Sequence, residues 1–171
     1  MNAGTLIATI LRHDHKVTSY KISLIRSIND VVLGFPHISQ GSASIALPLR
    51  TLARFWVAYY WPFVNPEQAI LQGQQTSGKE DISFRPALTH LRREWEKLVG
   101  VSRPSDGHFL VGEFLSEIRM NAYPKSLSKS FSEVIRAITT AIQQPIRYAS
   151  PDQYNVFAPP RRWKDILSSM P

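Results

Sequence analysis

The chain has 171 residues, 43% of them hydrophobic and 19% charged, which suits one globular domain rather than a disordered segment. It has no cysteine, which excludes disulfides, thiolate metal sites and a cysteine nucleophile and leads us to expect a reducing compartment such as the cytoplasm. A net charge of +7 points towards an acidic partner.

That charge is unevenly placed. Residues 1–60 carry six basic and two acidic side chains, residues 61–123 seven and eight, and residues 124–171 seven and three. Both ends are basic around a near-neutral middle, as expected when the ends share a face toward a polyanion. The apolar run Thr5 to Leu11 has neither the basic flank nor the cleavage site of a signal peptide. No run reaches the length of a membrane span, so no membrane partner is expected.

In chain order, Thr5 to Arg12 reads as a short helix with Leu6, Ile7, Ile10 and Leu11 on one stripe. Thr18 or Ser19 then caps a longer helix, in which Tyr20, Leu24, Ile28 and Val31 recur at helical intervals beside Ile25 and Val32. Gly34 and Pro36 end it, and Lys21 is expected to face solvent. Pro48 opens a helix with a wide aromatic face that includes Trp56, Tyr59 and Tyr60 and ends near Pro62. Arg50 and Arg54 sit one turn apart on another face of it.

"NPEQAILQGQQTSGKED" reads as a loop. The next helix turns Leu88, Leu91, Trp95 and Leu98 inward and stops at Gly100. A shorter helical segment follows from Phe109, and then a long amphipathic helix with Leu127, Phe131, Val134, Ile135, Ile138 and Ile142. Pro145 closes it, and "IRYAS" and "YNVFAPP" read as short strands or extended chain. The expected fold is mainly α: a single-domain bundle of five to six helices over residues 1–145, with an irregular or short-stranded basic tail over 146–171.

His15, Asn29 and His37 have the residue types of an HNH metal nuclease, which needs a strand, a loop and then a helix around one divalent cation. The interval between His15 and Asn29 has helical periodicity instead, and fourteen helical residues would separate the two by roughly 20 Å. His13, Asp14 and His15 read as a solvated helix end, and His90 and His108 as isolated surface residues. The pairs Glu94/Glu96 and Glu113/Glu117 have spacings common on solvated helix faces. No catalytic or metal residue is assigned, and no cofactor is expected in this chain.

The basic residues are better candidates. Lys16, Lys21, Arg26, Arg50, Arg54, Arg92, Arg93, Arg161, Arg162 and Lys164 are the candidate nucleic-acid contacts. Arginine suits bidentate phosphate contact, and Trp163 in "PPRRWK" can stack on a base.

Four segments taken together carry a resemblance: "HDHKVTSYKISLIRSINDVV", "LPLRTLARFWVAYYWPFV", "DISFRPALTHLRREWE" and "QPIRYA". They resemble the N-terminal helical region of bacterial proteins of the HNH endonuclease family. In such proteins the nuclease motif lies C-terminal to this region, so the resemblance carries over no catalytic residue. It implies a module that binds nucleic acid, duplex DNA first, or positions a target. Its setting would be restriction or phage defence, with a nuclease domain or subunit as partner holding any divalent metal. The competing reading is a protein–protein adaptor that docks through Trp56, Tyr59, Tyr60 and Trp61.

Overall fold

The computed structural model describes residues 7–8, 10–11, 19–35, 45–71, 82–149, 152–153 and 156–162. It is a helical bundle, and no strand occurs among the described residues. Ile7, Ala8, Ile10 and Leu11 are helical, with Ile10 buried. The longer elements are α1 (Ser19–Gly34), α2 (Leu49–Tyr60), a 3₁₀ turn (Trp61–Val64), α3 (Arg85–Val99), α4 (Asp106–Glu113), α5 (Glu117–Met120) and α6 (Lys125–Arg147).

Prolines and one glycine set several helix boundaries. Pro48 precedes α2 with φ fixed at −62°, and Pro86 lies in the first turn of α3, where a missing N–H costs nothing. Gly100 ends α3 at φ 80°, a left-handed conformation open to glycine, and its N–H reaches the Glu96 carbonyl at 2.8 Å.

Helix α2 is the centre of the bundle, packed by α1, α4 and α6, and α6 also packs on α3 and α1. The apolar stripe of α6 is buried along its length, from Leu127 through Val134 and Ile138 to Ile146. Tyr20, Trp56, Tyr60 and Phe84 form one aromatic cluster, with centroids 5.0 Å apart between Tyr60 and Phe84. Phe114, Tyr123 and Phe131 form another, tightest at 4.6 Å between Phe114 and Phe131.

Several expectations change. Lys21 is buried at 5% exposure rather than facing solvent, as are Ser23 and Ser27, while Ile22 and Leu33 are exposed and Ile25 is intermediate. The inner face of α1 meets rings that carry polar atoms: Ser23 donates to the Tyr60 hydroxyl at 3.0 Å and Trp56 donates to Ser27 at 3.4 Å. Serine satisfies those atoms where isoleucine would strand them. Leu98 is exposed, so the inward stripe of α3 ends at Trp95.

Helix α4 starts at Asp106, three residues before Phe109. The Asp106 carboxylate accepts from Trp95 Nε1 at 2.8 Å and from the Arg103 N–H at 2.9 Å, which fixes the turn ahead of it. Helix α6 runs through Pro145 to Arg147, and Ile146 and Ala149 are buried, so the packed body continues past residue 145. A proline so near a helix end forfeits one backbone bond without breaking a long run. Beyond α6, Gln153 accepts from Arg147 at 2.8 Å and Phe157 packs on the core, so the chain is tied back at two points.

Candidate nucleic-acid interface

Between His15 and Asn29 the chain is helical wherever it is described, and Asn29 sits exposed inside α1. His15, His37 and the His13/Asp14/His15 group lie outside the described residues. Among the described residues no three His, Asp or Glu side chains gather as metal ligands. Three of the four paired glutamates are held in structural contacts, Glu94 with Lys97, Glu96 with Arg92, and Glu113 with Arg119 and the Tyr123 hydroxyl, and Glu117 is exposed. The Lys97 ammonium beside Glu94 holds that carboxyl below its ordinary range.

The ten candidate cations divide by environment. Lys16 and Lys164 lie outside the described residues. Lys21 is inside the bundle, and Arg92 is buried at 4% exposure. Arg92 donates to Glu96 at 2.9 Å and to the Trp61 carbonyl at 3.1 Å, with longer contacts to Asn65 and the Ser102 carbonyl. It is a structural clamp, not a phosphate contact.

Arg26 is exposed but engaged. Its guanidinium lies 4.2 Å from the Tyr59 ring centroid and 3.9 Å from the Asp30 carboxylate. It stands at a shallow cavity of about 180 Å³ lined also by Ser19, Ser23 and Tyr60. Burial, then donation to Asp30, raises the Tyr59 hydroxyl well above its ordinary pKa. Arg50, Arg93, Arg161 and Arg162 are exposed, and Arg54 is half-buried.

The aromatic face offered to a partner is core. Trp56, Tyr60 and Trp61 are buried within this chain, and only Tyr59 and Phe55 of α2 keep partial exposure.

Among the described residues, a set of cations the sequence reading passes over makes the most continuous basic surface. Lys125, Lys129, Ser132, Arg136, Thr140, Gln143 and Arg147 recur every three or four residues along α6 and are all exposed. At 3.6 residues per turn they form one stripe opposite the buried apolar face, about 33 Å long from Lys125 to Arg147. Lys125, Lys129 and Arg136 pair with no described acid, unlike Arg26, Lys97 and Arg119. Glu133, the one acid of α6, lies at the stripe's edge. The Ser132 and Thr140 hydroxyls donate back to the Ser128 and Arg136 carbonyls. Arg147 lies over the Tyr148 ring at 5.2 Å and anchors Gln153.

The signal for this stripe is in the sequence. The period that picks out Leu127, Val134 and Ile138 also defines the opposite face, and that face holds four cations. Among the described residues no helix is long and apolar enough to cross a membrane. The apolar side of α6 is occupied by the core, so the helix has no free face to insert into lipid.

The chain belongs to a family described as a domain of unknown function (DUF8808), whose profile matches residues 1–169. No curated protein and no solved structure matches it.

Proposed function

We propose that this chain is a nucleic-acid-binding module that positions a target for an HNH-type nuclease centre and supplies no catalytic residue itself. The observation that carries the reading is the basic stripe of α6, Lys125, Lys129, Arg136 and Arg147, on one exposed face and paired with no described acid. Two further features support it: the basic ends of the chain, which include the exposed Arg161 and Arg162, and the resemblance to HNH endonuclease N-terminal regions. That resemblance argues for a role in restriction or phage defence, inside the cell, with any divalent metal held by the nuclease centre. An adaptor docking through Trp56, Tyr60 and Trp61 is not favoured, because those rings are buried in this chain's own core.

Duplex binding measured across a salt series tests the proposal. Each neutralised phosphate releases condensed counterions, so the slope of log affinity against log salt is about −0.9 per contact. Four contacts give a slope near −3.6, a loss of about a hundredfold between roughly 50 and 200 mM salt. Replacing Arg161 and Arg162 together by Ala flattens the slope by about two units if both touch phosphate. Weak binding at every salt concentration contradicts the proposal.

A further inference from the structure

We infer that α6 lies in the major groove of B-form duplex DNA, with Arg136, Thr140 and Gln143 toward base edges and Lys125, Lys129 and Arg147 on phosphates. The inference rests on the nucleic-acid reading above and names the partner and the geometry.

Shape comes first. The exposed face of α6 is the outer side of a helix whose inner side packs on α2, α3 and α1, so it meets its partner as a ridge. A helix is about 10–12 Å across, and the B-form major groove is about 12 Å wide and 8.5 Å deep. Single strands bind in grooves where aromatic side chains stack on bases. The outward stripe of α6 has no ring, and Tyr148 lies just past its end beneath Arg147. The major groove of A-form RNA is too narrow for side chains to read. Duplex RNA is met instead across a wide, shallow minor groove that does not seat a ridge, which leaves B-form DNA as the better fit.

Residue order along the ridge is the second argument. The major groove winds about its axis once in roughly 34–36 Å, so a straight rod of about 33 Å follows its floor for only about two helical turns. Both ends must rise towards the phosphate backbones. Lys125 and Lys129 sit at one end and Arg147 at the other, where point charges and a guanidinium suit phosphate. Between them stand Arg136, Thr140 and Gln143, one face of two successive turns. Arginine pairs with guanine O6 and N7, glutamine with adenine N6 and N7, and the threonine methyl with thymine. Glu133 beside them can accept only from exocyclic amino groups there, cytosine N4 being the usual partner of a carboxylate.

The test is selection of the full chain against a random duplex DNA pool. Enriched duplexes are then assayed with Arg136→Ala, Gln143→Ala and Lys125→Ala, each at an exposed position, with circular dichroism to confirm the fold. We expect a short enriched motif. Arg136→Ala and Gln143→Ala should each relax the preference at a different base pair, by roughly fivefold to a hundred-and-fifty-fold. Lys125→Ala should weaken all duplexes alike and reduce the salt slope by about one. Replacing the enriched purines by 7-deazapurines, which lack N7 and keep O6 or N6, should weaken the preference. Binding without an enriched motif, a motif indifferent to both central variants, or tighter binding to single strands or duplex RNA overturns the inference and leaves the nucleic-acid reading standing. Binding to no nucleic acid overturns both.

Discussion

The Arg92 guanidinium lies 5.9 Å from the ring centroid of Trp61 while one of its nitrogens donates to the Trp61 carbonyl at 3.1 Å. The Trp61 indole in turn donates to Ser102 at 3.0 Å and to the Arg103 carbonyl at 3.2 Å. Two residues thereby join the end of α2, the body of α3 and the chain between α3 and α4. Removing Arg92 strands buried carbonyls, so Arg92→Ala should cost about 2–4 kcal/mol. Arg92→Lys should recover only part of this, because an ammonium cannot reproduce the planar fork. The check is the urea midpoint at unchanged m-value. DNA affinity of the folded variant should match that of the parent, since Arg92 is not on the proposed α6 face.

Gly107 sits against the same tryptophan. A Cβ at this position would stand 2.6 Å from the Trp61 Cβ, 2.8 Å from its Cγ and 3.2 Å from the Ala58 Cα. Only glycine lets α4 approach α2 and the 3₁₀ turn this closely. Gly107→Ala should destabilise the domain by about 1–3 kcal/mol, read from thermal or urea unfolding. Gly112→Ala, where a new Cβ meets nothing, is the matched control and should be neutral or mildly stabilising. Equal behaviour of the two variants would contradict the close-packing account.

How legible this was depends on which question is asked. The period of α6 leads directly to a buried stripe, and Leu127, Phe131, Val134, Ile135, Ile138 and Ile142 are all buried. Arg92 stands four residues after Leu88 and three before Trp95, so the same arithmetic puts it inward. Lys21 likewise shares a face with Leu24 and Ile28. Their charge pointed outward and their position pointed in, and position decided. What no period reveals is that Trp61 and Trp56 bring polar atoms into the core that an arginine and serines then satisfy. The basic ridge was legible in the polar complement of α6, but the sequence reading of that helix rests on its apolar members.

The Tyr59 hydroxyl provides a pH test. Burial raises its pKa first, and donation to the Asp30 carboxylate and that group's charge raise it further, against an opposing effect of Arg26. A phenol whose folded pKa exceeds its unfolded value of about 10 stabilises the fold fully below that pH, and the contribution fades as pH rises towards the folded pKa. In an alkaline titration followed by phenolate absorbance, Tyr59 should therefore ionise late. Asp30→Asn removes the charge and leaves only a neutral amide acceptor, and should bring one phenol step to lower pH. An unchanged titration would show that Asp30 does not govern Tyr59.

Cleavage is the next check. Incubated with plasmid DNA and magnesium, manganese or nickel, the chain alone should leave the plasmid intact. Metal-dependent nicking that disappears in His15→Ala would establish a nuclease centre in this chain and contradict the positioning role.

The central claim is that the α6 stripe, rather than net positive charge, holds nucleic acid. Lys129→Glu/Arg136→Glu reverses two charges on the stripe. Arg93→Glu/Arg103→Glu reverses two exposed charges off α6 that pair with no described acid, and lowers the net charge by the same amount. Duplex DNA affinity of both, at about 100 mM salt, is the measurement. The account predicts a loss of at least about a hundredfold for the α6 pair, as expected when two attractive phosphate contacts become repulsive, and only a small change for the other. Equal losses in the two variants, or retained binding in the α6 pair, would contradict it.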